Sequence, residues 1–281
     1  MAGLLYSQWL PTSKAAERKD PPAAVPIQSG VSAPSTNTTD LRPMFQRFEM
    51  SPRQQGNRPT CSVFTVVQAM EFAIAKQQGR CARLSVEFLN WAANKECGDA
   101  DDGGFFSDLW KGFTAYGICR EDDMPYRAQF DPAKAPDTAA LADAKGRLSL
   151  GLQLHWIKEW NVNTGLTSDQ LTAIKRTLDA GWPVCGGFRW PKQEQWVEDV
   201  LQMCSSNAVR DGHSVLLVGY RDVVTQPGGG VFLFRNTSRD GRDGAMPYAY
   251  AQEFMNDAVW VDSKVQTKAS SAGSASGSIV P

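Results

Sequence analysis

Histidine is nearly absent from this chain: its 281 residues hold only His155 and His213, so any step that needs an imidazole has two candidates. Cysteine is also scarce. Cys61, Cys81, Cys97, Cys119, Cys185 and Cys204 are too few for a disulfide scaffold at this length, and none forms a C-x-x-C pair. No metal site and no cofactor is expected. The even count leaves room for one or two disulfides in an oxidising compartment, with a pairing that spacing does not give. No run approaches the roughly 18 apolar residues of a membrane span, so a soluble protein is expected. The N-terminus lacks a basic segment and its apolar run is broken by Ser7 and Gln8, which disfavours a secretory signal. The expectation is a cytoplasmic protein or one exported by a non-classical route. No excess of charge is present, with 29 basic against 30 acidic residues, which speaks against nucleic-acid and anionic-membrane partners. Oligomeric state has no signal here.

Large apolar residues are also rare at both ends. Residues 11–39 are rich in Pro, Ser, Thr and Ala, and 268–278 in Ser, Gly and Ala, so a flexible arm over 1–39 and a disordered tail over 263–281 are expected, because such segments cannot bury enough surface to offset the entropy of ordering. Residues 40–262 then form the folded part, a helical region at about 50–130 and a strand-rich one at about 148–262.

The stretch from Gln55 to Glu71 organises the first region. Gly56 and Pro59 interrupt regular structure, Thr60 is a candidate cap, and Cys61 opens a segment apolar nearly all round to Ala75, which predicts a central buried helix. A thiol at a helix N-terminus meets unpaired amides and the positive end of the macrodipole, which favour the nucleophilic thiolate. Ser85 can cap a second helix, and Phe106 to Tyr116 predicts a third that stops at Gly117. Arg127 to Arg147 shows no period and is read as a surface insertion.

In the second region Leu148 to Trp156 alternates as a strand, Asp169 to Leu178 is an amphipathic helix, and Trp182 to Phe188 is a strand. Ser214 to Tyr220 and Val231 to Arg235 flank a loop containing Pro227-Gly228-Gly229-Gly230, the pattern of an antiparallel hairpin. Symmetric closure pairs Ser214 with Arg235 and His213 with Asn236. His155, in an apolar stretch, is read as a partly buried strand residue. His213 instead gains an amide neighbour that can hold one ring nitrogen. Cys61, His213 and Asn236 then supply a nucleophile, a base and an orienting group, the needs of covalent acyl transfer. Gln55, six residues before Cys61, carries an amide that could join the Cys61 backbone N–H around an oxyanion.

With these residues in order the sequence resembles the papain-like cysteine peptidases, in particular divergent bacterial-type members. Gln55-Gly56 through Cys61 matches the nucleophile segment, Gly103-Gly104-Phe105 the substrate-binding double glycine, and Gly212-His213-Ser214-Val215 the histidine strand. Asn236 falls at the asparagine, and Asp243-Gly244 with Met246-Pro247-Tyr248 at the C-terminal segment. The resemblance implies an α+β, two-lobed fold: a helical lobe carrying Cys61, a β-barrel-like lobe carrying His213 and Asn236, and an active-site cleft between them. It implies a thiol endopeptidase acting on peptides or proteins, in which Gly103 and Gly104 bind substrate as an added strand and Gly187 and Asp211 lie near the pocket for the second residue upstream of the scissile bond. Two other readings use the same scaffold: an acyltransferase or peptide ligase, and a peptide-binding pseudoenzyme.

The chain departs from the family pattern C-G-[SA]-C-[WY]. Arg58 stands in place of the first cysteine, removing the disulfide beside the site, and Ser62 in place of the aromatic residue. The tryptophan that normally follows the asparagine motif and shields the His–Asn bond is missing from Asn236-Thr237-Ser238-Arg239, which favours a weak catalyst. Asn236-Thr237-Ser238 also spells a glycosylation sequon, read as unused.

Overall fold

A computed structural model describes residues 37–238 and 243–264 of the chain. Most of the expected N-terminal arm and of the C-terminal tail lies outside the described residues. In chain order the elements are β1 (Thr38–Asp40), α1 (Arg42–Arg47), α2 (Cys61–Gln78), α3 (Val86–Cys97), α4 (Phe106–Tyr116), α5 (Thr138–Arg147), β2 (Leu152–Lys158), α6 (Ser168–Asp179), β3 (Val184–Pro191), β4 (Trp196–Val197), β5 (Val200–Leu201), β6 (Val209–Asp222), β7 (Gly230–Arg235), β8 (Gly244–Pro247), α7 (Tyr248–Phe254) and β9 (Met255–Ser263). Helices α2 to α4 form one lobe and the mostly antiparallel sheet dominates the other, which makes the fold α+β and two-lobed. No described helix is long and apolar enough to cross a membrane.

Helix α2 joins the lobes. Residues 61 to 75 are all buried, as an all-round apolar sequence requires, and the helix packs on α3 and α4 on one side and on β3, β6 and β9 on the other. Its one acidic residue, Glu71, is tolerated because its carboxylate accepts from Leu84 N at 2.8 Å and from Arg53 Nη1 at 3.1 Å. Gly79 ends the helix in a left-handed conformation. The predicted cap does not form. Thr60 Oγ1 lies 2.7 Å from Tyr126 Oη instead, so the hydroxyl ties the helix start to a neighbouring loop. Ser85 does cap α3, accepting from Phe88 N at 2.9 Å.

The segment read as a surface insertion contains α5. Asp137 caps it, and its buried face presents only Ala140 and Ala144, packed in a satellite core with Phe88, Ala92, Cys119 and Met124. Two alanines give no hydrophobic period, which is why the pattern was silent. The first predicted strand also starts late: Leu148–Leu150 form a 3₁₀ turn before β2.

The sheet runs β2-β9-β3-β6-β7-β8-β5-β4, with β1 added beside β6. The β6–β7 hairpin is present with another register: Leu216 faces Arg235 and Leu217 faces Phe234, after which the pairing shifts so that Gly219 faces Leu233. Val218 is bulged at that shift, and its carbonyl accepts the Leu41 N–H at 2.7 Å, just after β1. His213 and Asn236 are therefore not cross-strand partners, and Asn236 lies one residue past the end of β7.

Candidate active site

The nucleophile candidate and the base candidate arrive from different lobes. Cys61 is the first residue of α2, and His213 lies in β6 opposite Phe188 of β3. Both line one cavity of about 490 Å³. His213 Nε2 is 3.0 Å from Asn236 Oδ1, an oxygen that also accepts from Ser238 N at 3.0 Å. The Asn236 bond fixes Nε2 and leaves Nδ1 as the free ring nitrogen. Asn236 is only 3% exposed, which is no place for a glycan. The Cys61 thiol is 3.9 Å from the Gly212 carbonyl, a weak S–H contact that keeps the sulfur beside the histidine strand.

Burial decides the resting charge state. It pushes the Cys61 thiol above its ordinary range, while the backbone N–H groups of Ser214 and Ser62 and the Ser214 hydroxyl oppose it. It pushes the His213 imidazole below its ordinary value, against the Asn236 bond and the Glu194 carboxylate. Loss of water thus opposes the helix-terminus lowering expected for the thiol, and it disfavours the charged form of both groups. Such a pair can still act by moving the thiol proton to imidazole as sulfur attacks.

Gln55 is held in place by hydrogen bonds on both sides of its amide. Its Nε2 donates to Arg58 O at 2.8 Å, its Oε1 accepts from Thr237 Oγ1 at 3.0 Å, and its backbone N–H donates to Thr237 O at 2.8 Å. The residue is not among those lining the cavity. It clasps the nucleophile loop to the residue after Asn236. Gly104 and Gly187 do line the cavity. Gly103 does not: its φ of 108° and its contact with the Pro59 carbonyl, where a Cβ would collide, make it the point where the two loops of the helical lobe touch. The Asp211 side chain lies outside the described part of the structure. His155 stacks on Trp260 at 4.2 Å in the β2–β9 pair and lies outside the cavity lining.

Three features were missed in the sequence. Trp190, at the end of β3, is 1% exposed and stands edge-on to His213, with ring centroids 4.6 Å apart and planes at 62°. Its indole N–H donates to Glu194 Oε1 at 2.7 Å, and Trp196 donates to the other oxygen at 3.0 Å. The missing tryptophan after Asn236 was the only hint that another must serve. Arg58 is a buried brace: Nη1 meets Glu87 Oε2 at 2.5 Å, Nη2 and Nε meet Asp102 at 2.8 and 2.9 Å, and the guanidinium covers the Tyr126 ring. It links the loop before Cys61 to the loop before Gly103, and all six cysteines are unpaired thiols. Phe105 and Trp160, one from each lobe, meet edge to face at 5.3 Å across the cavity mouth.

The profile of the papain family cysteine proteases matches residues 36–250. Among solved structures, xylellain, a cysteine protease from Xylella fastidiosa, aligns with a TM-score of 0.61 at 24% identity, over 81% of this chain and 86% of that one. Digestive procathepsin L 3 of Tenebrio molitor larval midgut aligns with a TM-score of 0.54 at 19% identity, over 80% of this chain and 69% of that one. A comparison with curated protein sequences finds no match.

Proposed function

The chain belongs to the papain family of cysteine proteases, and from that premise we propose that it is an endopeptidase working through an acyl-enzyme on Cys61. His213 Nδ1 takes the thiol proton as sulfur attacks the scissile carbonyl carbon, and the resulting imidazolium gives that proton to the departing amine. Water then attacks the thioester with His213 again as base, releasing the acid product and restoring the thiol. Asn236 holds the imidazole through Nε2. The Cys61 backbone N–H, at the unpaired start of α2, serves the oxyanion, joined by the Gln55 amide through the hydrogen it does not give to Arg58.

The observation that carries this reading is the 3.0 Å bond from His213, which lines the cavity together with Cys61, to the buried Asn236 behind it. The buried indole of Trp190 supports a competent site over a peptide-binding remnant, because it packs apolar surface against the His213 ring, where a hydrogen bond is strengthened.

Intact-mass measurement after treatment with an epoxide or vinyl-sulfone thiol inactivator tests the nucleophile. One adduct on the wild type and none on Cys61→Ala is expected; equal labelling of both, or of neither, contradicts it. Product masses from a peptide substrate are expected to show addition of water. Joined fragments would instead indicate acyl transfer.

A further inference from the structure

The cavity that holds Cys61 and His213 also has a floor that the acyl-transfer chemistry leaves unused. Asn256 and Asp257, at the start of β9, line it and are 5% and 4% exposed. Asn256 Oδ1 is buried without a hydrogen-bond partner. One Asp257 carboxylate oxygen sits over Gly187, where any side chain would collide with it. Among the described residues no Lys, Arg or His forms an ion pair with Asp257. Lys158 is near enough to be felt, yet its ammonium donates to the backbone carbonyls of Glu159, Asn161 and Asn256.

A carboxylate held out of water without a cation bonded to it is costly, and burial lifts the Asp257 carboxyl to about 7, against the pull of Lys158 and the Gly187 N–H. The Asp257 carboxylate thus has one backbone donor, and the Asn256 Oδ1 of the neighbouring residue has none. The walls are of the opposite character, with Phe106, Val162 and Phe188 inside and the Phe105–Trp160 pair at the mouth. Those two rings are 52% and 49% exposed, ready to cover an aliphatic stem or face a cation. An occupant that suits all of this has an apolar stem, several donors at its tip and a positive charge.

We propose that this recess selects a basic side chain, arginine or lysine, from the acyl side of the peptide substrate, with Asp257 and Asn256 as the selecting residues. On the peptidase reading above, on which this assignment rests, Gly104 and Gly187 of the cavity lining border the acyl side of the substrate.

The test separates binding from turnover. Fluorescein-labelled alanine–leucine peptides carrying one arginine, or one citrulline as its uncharged isostere, at each position upstream of the scissile bond are titrated into full-length Cys61→Ala protein at about pH 8, where the carboxyl is ionised. Arginine is expected to bind about tenfold more tightly than citrulline at one position, the value of a single charge-assisted hydrogen bond. Asp257→Asn is expected to remove that ratio. Equal affinities at every position overturn the inference with no variant at 257 required. Hydrolysis of both peptides by wild-type protein at equal kcat/KM overturns it too and leaves the peptidase reading intact. Arginine-selective binding without any hydrolysis sinks the peptidase reading alone.

Discussion

The indole of Trp190 stands edge-on against the imidazole of His213, 4.6 Å between ring centroids, and is itself tethered to Glu194 at 2.7 Å. It comes from β3, before the histidine in the chain, whereas the family's shielding tryptophan follows the asparagine. Water reaching the His213–Asn236 bond would weaken it, since a hydrogen bond is stronger in a low-dielectric surrounding. Trp190→Leu is expected to lower kcat by about ten- to a hundredfold with KM little changed, the cost of a hydrogen bond to a charged imidazole. A merely structural role would leave the histidine unmoved; here its pKa, followed by NMR, should rise toward the ordinary value as burial is lost. Trp190→Phe, with less volume lost, should fall between the two.

The three residues that assemble the nucleophile and base should not be equal in effect. Cys61→Ala and His213→Ala remove groups that form or break bonds and should abolish measurable turnover. Asn236→Ala removes only the group that aligns the ring, so residual activity should persist. Steady-state rates of the three variants on one peptide substrate check this, and an equal loss from all three would argue against an orienting role.

The acid limb of the pH–rate profile should lie low. His213 must be neutral to receive the thiol proton, and burial holds its pKa below the ordinary imidazole value. As pH falls, the base is lost only once that lowered pKa is passed, so kcat/KM should hold its plateau below about pH 6.5. A profile already halved above that point would contradict a buried, neutral imidazole.

Asp257 makes the fold more stable in mild acid than in mild base. Its carboxyl titrates at about 7 in the folded chain, chiefly through burial, against roughly 3.9 when unfolded. The folded state thus holds a proton that the unfolded state has released between those values. That relative stabilisation is complete below about pH 4 and is lost as pH rises through about 7, a change on the order of 2–4 kcal/mol. Asp257→Asn should flatten this part of the stability profile and raise the urea midpoint at about pH 8.

Arg58 is a stability element next to a reactive one. Replacing it with Met leaves Glu87 and Asp102 buried beside an uncharged side chain, and the loss of one partner of a buried pair costs about 3–5 kcal/mol. Arg58→Lys should recover only part of this, because an ammonium cannot span both carboxylates and the Tyr126 ring as a planar guanidinium does. Chemical denaturation of the two variants is the check.

Much of this architecture could be read from residue order. An all-round apolar run announces a buried helix whatever surrounds it, so α2 was legible. So was the β6–β7 hairpin, from two apolar runs around glycines. The exact register was not, because a one-residue bulge at Val218 shifts the pairing, and two apolar runs do not mark where a bulge falls. Helix α5 was hidden by having only alanines on its buried face. Trp190 and Asp257 escaped for the same reason as each other: their neighbours are cross-strand residues of β3, β6 and β9, whose pairing a single sequence does not specify. For Gln55 spacing gave nearness to Cys61 but not the partners of its amide, Arg58 O and Thr237 Oγ1.

The clasp between Gln55 and Thr237 gives the two lobes a mechanical axis. Two of its hydrogen bonds, at 2.8 and 3.0 Å, join the loop before Cys61 to the strand end carrying Asn236. At the far rim the lobes meet through Phe105 and Trp160, two half-exposed rings with no polar lock between them. Opening of such a cleft is expected to be smallest beside the nucleophile and greatest at the aromatic rim, a gradient that hydrogen exchange of the flanking segments would show. A peptide can then be admitted by a swing of the outer jaw while sulfur, imidazole and amide keep their alignment.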